Sequence, residues 1–150
     1  MIIGTVCTRN VFTCDRLEPL ARAARVMTER HIGTLVVVDS KGGQQRPVGI
    51  VTDRDIVRGQ LDRAQDLYCL NVEDVMTSNP FTLTQAIGIE DAVARLSERG
   101  VRRAPVVDEE GNLVGILSTD DLLPALAAEL GALAQLSRTQ PKHERRPAAP

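Results

Sequence analysis

The sequence predicts an α/β fold, an α+β sandwich in which two β-α-β-β-α repeats pack sheet to sheet about a pseudo-twofold axis. Three observations lead there. The chain says nearly the same thing twice, each copy has the same order of apolar patterns, and neither copy is large enough to bury a core alone. Val11-Phe-Thr13 returns 69 residues on as Pro80-Phe-Thr82, and eight of the 29 positions from 11 to 39 are identical at that offset: Phe12, Thr13, Ala23, Glu29, Arg30, Val37, Val38 and Asp39. Val6, Thr8 and Asn10 fall on Val75, Thr77 and Asn79. Downstream the offset is 66, aligning Gly49-Ile-Val-Thr52 with Gly115-Ile-Leu-Ser118, so three extra residues sit in the first copy's Gly/Pro-rich loop. Turns accept such a change of length. An internal repeat marks a duplicated unit, and about sixty residues with so few aromatics make a marginal core. The two copies are therefore expected to complete one core together.

The elements follow in order. A short extended segment at Phe12 or Phe81 leads to a helix over 17–30 or 89–99. On these helices Leu20, Ala23, Ala24 and Met27, then Ile89, Ala92, Val93 and Leu96, recur at helical spacing and form an apolar face. Pro19 suits a first helical turn. A strand over 34–38 or 104–107 comes next, then a turn at Gly42-Gly43 or Gly111-Asn112, then a strand over 48–51 or 113–117. Such neighbours pair antiparallel. A second helix closes each unit, and the near-continuous apolar strands call for helices on one face. The first repeat thus spans 1–58, a connector 59–71, and the second repeat with an extended C-terminal helix 72–136. In that helix Leu126, Leu130 and Leu133 form a stripe, and Pro124 is expected to kink or restart it. Residues 137–150 are polar and Pro-rich, and disorder is expected there.

Composition narrows the function. Hydrophobic residues make up 43 % and charged residues 25 %, an ordinary globular balance. A formal net charge of −2 and 2 % aromatics argue against a nucleic-acid surface, whose signature is basic patches and stacking platforms. Only the cluster Lys142, His143, Arg145 and Arg146 speaks for one. Three cysteines without metal or redox spacing point to reduced thiols. No apolar run approaches a bilayer's thickness and no secretory leader is legible, so a cytoplasmic location is expected. Catalysis is not expected either. The chain has two histidines, His31 and His143, and no nucleophile–base set, metal-ligand cluster or phosphate-loop motif. Asp53, Asp55, Asp120 and Asp121 read as dipole partners at helix starts.

The most informative motif occurs twice, as Gly49-Ile-Val-Thr52-Asp-Arg-Asp55 and Gly115-Ile-Leu-Ser118-Thr-Asp-Asp121. A strand running into a helix start offers free backbone N–H groups and a hydroxyl at one place. The carboxylate three residues on can accept hydrogen bonds from a ribose diol. The same spacing is a capping box, worth about 1 kcal/mol of helix stability. The two readings are compatible.

In this order of features the chain resembles the CBS (cystathionine-β-synthase) domain family. The residues carrying the resemblance are Val6-Cys-Thr8, His31 to Asp39 and Gly49 to Asp55, then Val75-Met-Thr77, Val101 to Asp108 and Gly115 to Asp121. It covers about residues 1–58 and 72–123. The resemblance implies a stand-alone tandem pair that binds an adenosine compound (AMP, ADP, ATP, NAD or S-adenosylmethionine) in clefts between repeats. No obligatory cofactor or metal is implied. It assigns ribose recognition to Thr52 and Asp55 and to Ser118 and Asp121. Phosphate recognition falls to Arg102 and Arg103, whose first-copy equivalents are Gly33 and Thr34, so one cleft is equipped for phosphate and the other is not. Arg54 and His31 are lesser candidates. The implied role is a sensor acting through a homodimer or a separate effector protein, with the apolar faces of Leu20 to Met27, Ile89 to Leu96 and the Leu126/Leu130/Leu133 stripe as contact surfaces. A ligand-free interaction scaffold and an RNA-binding module are the competing readings.

Overall fold

Alternating and helical apolar patterns resolve into two small sheets with two helices each. The computed structural model describes residues 1–143, with side chains to residue 138. The first repeat supplies β1 (Thr13–Cys14), α1 (Leu20–Arg30), β2 (Thr34–Lys41), β3 (Gln44–Thr52) and α2 (Asp53–Arg63). The second supplies β4 (Thr77–Ser78), β5 (Leu83–Thr84), α3 (Ile89–Arg99), β6 (Arg103–Val107), β7 (Leu113–Ser118) and α4 (Thr119–His143). One sheet has the order β1-β2-β3-β4 and the other β5-β6-β7. Each hairpin is antiparallel as expected, while β1 and β5 lie parallel to β2 and β6. Matching register shifts at Val37/Val38 and Val106/Val107 put one extra residue, Val48 or Val114, into each second strand. The bulges are part of the repeat, not accidents of one copy.

The repeats exchange their opening segments. Ile3 and Gly4 donate backbone hydrogen bonds to Ile87 and Gln85, and Ile89 donates to Met1. At the equivalent positions Val72 and Glu73 donate to Glu18 and Arg16, and Leu20 donates to Leu70. Thr8 then bridges to Ile116 on β7, as Thr77 pairs with Ile50 on β3. The buried side chains consequently gather in two cores, each one repeat plus the other's opening. Ile3 and Cys7 join Leu83, Ile89, Ala92, Leu96, Ala104, Val106, Leu117 and Leu122. Leu70 and Val72 join Cys14, Leu20, Ala23, Met27, Leu35, Val37, Val51 and Ile56. This corrects the expectation of one common core. Side chains alternate along a strand, so Val36 and Pro105, fully buried and in neither core, occupy the faces opposite Leu35/Val37 and Ala104/Val106.

Other expectations change for identifiable reasons. Helix α1 starts at Leu20 because the residues before it are used elsewhere: Asp15 accepts from Leu17 N at 2.8 Å and Pro19 bridges to Asn71, leaving Pro19 extended (φ −57°, ψ 135°) at the N-cap. The three inserted residues lengthen the hairpin rather than its loop, adding rungs from Asp39 to Lys41 that close on Gly42 and Gly43. Both glycines have positive φ (61° and 79°), the twist a two-residue hairpin turn requires. The stretch 59–71 is more than a connector, since α2 runs to Arg63 and Leu70 enters the first core. Helix α4 continues through Pro124 without interruption and reaches His143, so 137–143 are helical; residues 144–150 of the expected disordered tail lie outside the described residues. Leu20, Ala23 and Met27, with Ile89, Ala92 and Leu96, are core side chains and cannot be contact surfaces. Leu126 packs on the second core, whereas Leu130 and Leu133 are exposed.

Two expected outcomes follow from this exchange. Ile3 is fully buried in the second repeat's core while its neighbour Ile2 is 47 % exposed. Ile3→Ala is expected to cost about 2–5 kcal/mol and Ile2→Ala less than about 1 kcal/mol, read by chemical denaturation. Burial pushes the Cys14 thiol up to about 12, with Glu18 and Asp15 adding to the rise, and burial also raises Cys7. Cys69 is exposed. Because the thiolate is the reactive form, alkylation in the folded protein is expected at Cys69 alone, with Cys7 and Cys14 reacting only after unfolding, as peptide mass spectrometry can check.

Candidate functional site

The exchange of opening segments builds two clefts related by the same pseudo-symmetry. The larger, of about 650 Å³, is lined by Ile50, Thr52 and Asp55 from the first repeat and by Thr77, Pro80, Phe81, Val101, Arg102 and Arg103 from the second. In the smaller, of about 320 Å³, the equivalent positions are Ile116, Ser118 and Asp121, then Thr8, Val11, Phe12, Ile32, Gly33 and Thr34. Each cleft therefore joins the motif of one repeat to the strand start of the other. Arg102 sits with Thr52 and Asp55 and not with the Ser118 and Asp121 of its own repeat, whereas Arg103 lines both clefts.

Both motifs are capping boxes. Thr52 N donates to Asp55 Oδ2 at 2.9 Å and Asp55 N donates to Thr52 Oγ1 at 3.1 Å. Ser118 N and Oγ donate to Asp121 Oδ2 at 2.8 and 2.7 Å, and Asp121 N donates to Ser118 Oγ at 3.3 Å. The second oxygens differ. Asp121 Oδ1 accepts from Thr8 Oγ1 at 3.0 Å, whereas Asp55 Oδ1 takes no hydrogen bond among the described residues. In the larger cleft one carboxylate oxygen caps the helix and the other is left to accept.

The clefts also differ in charge. Arg54, Arg102 and Arg103 outnumber Asp53 and Asp55 around the larger one. Around the smaller one Arg103 stands against Asp120 and Asp121. Phe12 and Phe81, the chain's two phenylalanines, occupy matching walls, with the Arg30 and Arg99 guanidiniums over their rings at 5.5 and 5.1 Å from the centroids. Such cation–π contacts hold the rings without filling the cleft. Among the described residues no group of His, Cys, Asp or Glu could hold a metal ion, and no helix is long and apolar enough to cross a membrane.

A family model for the CBS domain matches residues 3–62 and 72–128. The chain belongs to the CBS domain family. An uncharacterised 17.7 kDa protein of Acidianus ambivalens is 36 % identical to this CBS pair over 124 residues, covering 83 % of the chain and 72 % of the relative. An uncharacterised protein of Methanopyrus kandleri is 31 % identical over 121 residues, covering 81 % of the chain but only 60 % of the relative's length. Among solved structures, CBSX2 in complex with AMP superposes with a TM-score of 0.71 at 28 % identity, covering 85 % of this chain and 96 % of that one.

Within the CBS pair, Thr52, Asp55, Arg102 and Arg103 come together in one cleft and Ser118 and Asp121 line the other. Arg54 reaches the larger cleft. His31 lines neither; it ends α1 with φ 54°, where the second repeat uses Gly100. Phe12/Phe81, Thr8/Thr77 and Ile50/Ile116 line the clefts as well, and the sequence signal for them is their recurrence at offsets of 69 and 66.

The motif glycines have a packing reason. A Cβ on Gly115 would lie 2.6 Å from Cys7 Sγ and 3.1 Å from Thr8 O, and one on Gly49 would lie 2.6 Å from Met76 Sδ and 3.2 Å from Thr77 O. The crossing segment leaves no room for a side chain. Cys7 is short and buried, whereas Met76 is unbranched and can swing away. Gly115→Ala is expected to cost about 1–3 kcal/mol and Gly49→Ala less, measured by urea denaturation.

Proposed function

We propose that the chain is a regulatory module that binds an adenine nucleotide, with the larger cleft as the principal site. One juxtaposition carries this reading: Thr52 and Asp55, suited to a ribose diol, share a cleft with Arg102 and Arg103, suited to a phosphate. Asp55 Oδ1 has spare acceptor capacity, Thr52 Oγ1 accepts from Asp55 N and keeps its own proton to donate, and arginine is the side chain for bidentate phosphate contact. A volume near 650 Å³ suits a small-molecule site. The AMP complex of the related CBSX2 supports the choice of adenosine ligands. Phe81, Val101 and Pro80 offer the apolar surface a purine needs.

The smaller cleft, with Ser118 and Asp121, is proposed as a weaker nucleoside site. Its carboxylate is already taken up by Thr8, and Gly33 and Thr34 stand where the arginines stand opposite. Regulation, not catalysis, is the proposed outcome. A ligand spanning both repeats favours one relative arrangement by its differential affinity, and that arrangement is read by an effector protein or by a second copy of the chain. Leu130 and Leu133 on α4 are the exposed apolar residues proposed for homodimer contact.

The test is calorimetric titration of adenosine, AMP, ADP, ATP, NAD and S-adenosylmethionine, repeated on Asp55→Asn, Asp121→Ala and Arg102→Ala. Asp55→Asn keeps an oxygen for the helix cap and is expected to weaken AMP binding at least about tenfold, the scale of a lost charged hydrogen bond. Arg102→Ala is expected to weaken AMP while leaving adenosine nearly unchanged. If no compound binds, and Asp55→Asn and Asp121→Ala alter only stability, the motifs are caps and the interaction-scaffold reading replaces this one.

A further inference from the structure

Arg103 lines both clefts, and so does Thr34, the residue at the equivalent position of the first repeat. The two side chains meet, with Arg103 Nη1 donating to Thr34 Oγ1 at 2.6 Å. The Arg102 side chain, by contrast, makes no hydrogen bond or ion pair among the described residues; only its backbone carbonyl is engaged, accepting from Thr119 N at 3.0 Å. One of the two arginines available to a phosphate is therefore already engaged by a hydroxyl of the opposite repeat, at the boundary between the clefts.

We infer that Thr34 sets the phosphate specificity of the larger cleft by holding Arg103 at this boundary, so that binding a phosphorylated ligand transfers Arg103 from Thr34 to the phosphate. The inference rests on the larger cleft being a nucleotide site. Its chemistry is an exchange of one acceptor for another: the neutral hydroxyl releases the guanidinium and the phosphate oxygens, with their charge and paired geometry, take it up. A ligand without a phosphate has nothing to offer Arg103 and leaves it where it is. The Thr34 bond is then an energetic tax levied on nucleotides alone, because the competent position of Arg103 is only partly populated before binding.

The transfer also changes the smaller cleft. With Arg103 drawn toward a phosphate, its charged lining is reduced to Asp120 and Asp121. An uncharged or cationic nucleoside is favoured there and an anionic one opposed. Linkage is reciprocal, so a ligand that displaces Arg103 from the smaller cleft frees it for the phosphate in the larger one.

The test compares AMP and adenosine on one background. Asp121→Ala confines ribose recognition to the larger cleft, and the ratio of AMP to adenosine affinity is measured with Thr34, Thr34→Val and Thr34→Ser. Valine has nearly the shape of threonine and lacks the acceptor; serine keeps it. Thr34→Val is expected to raise the ratio by about three- to tenfold, the scale of one net hydrogen bond, and Thr34→Ser to restore the original ratio. Arg103→Gln should remove the effect of Thr34→Val. An unchanged ratio in Thr34→Val overturns the inference, and a lowered ratio means that Thr34 instead presents Arg103 to the phosphate. Absence of binding by both ligands before any change at Thr34 overturns the nucleotide reading itself, a result distinct from either.

Discussion

Everything else in the molecule depends on one crossing: the backbone of each repeat's opening segment running against the second strand of the other repeat's hairpin. Thr8 with Ile116 and Thr77 with Ile50 form the hydrogen-bonded steps, and Gly115 and Gly49 provide the clearance beneath them. The crossing places Ile3 in one core and Val72 in the other, completing apolar clusters that neither repeat fills by itself. It also draws the motif of one repeat to the strand start of its neighbour. The clefts are consequences of the crossing, not hollows left over from packing.

The pseudo-symmetry makes the departures from it informative. Where the backbones match, the side chains that differ mark separate duties. Arg54 and Arg102 line only the larger cleft and Asp120 only the smaller, while Arg103 is shared, so the two clefts carry opposite charge. Thr8 closes onto Asp121 while Thr77 leaves Asp55 with an open oxygen. The repeat gives two clefts of one design, and the larger is the one with more arginines than carboxylates. The capping box fixes Thr52 and Asp55 at the helix start they stabilise, so both side chains are held in place in the cleft.

Much of this was legible in the sequence because local patterns decided it. The repeat offset, the apolar faces of α1 and α3, the antiparallel hairpins and the recurrent Gly-to-Asp motif are written in residues near one another. The partner of each opening segment was not. Ile3 and Val72 announce that they are buried, but nothing in their spacing says in which core, and that choice decides which arginines meet which carboxylate. The start of α1 is hidden for the same reason, since Asp15 to Pro19 would serve a helix turn well but are engaged by Asn71 and the residues after it. Pro124 follows a different logic. It lies close enough to the start of α4 that few hydrogen bonds are at risk, and Leu122, packed in the core, anchors the helix just before it.

The exchanged openings also bear on the order in which the chain can be completed. Synthesis runs from the N-terminus, so Ile3 and Cys7 are made long before Leu117 and Leu122, the side chains they pack against. The first repeat cannot finish until Leu70 and Val72 are available, and the second cannot finish without Ile3 and Cys7, made before the rest of the first repeat. Contacts of such long sequence separation close slowly. A nascent chain of this design keeps an apolar segment exposed until the second hairpin has been made, and in that interval aggregation or a chaperone can compete for it.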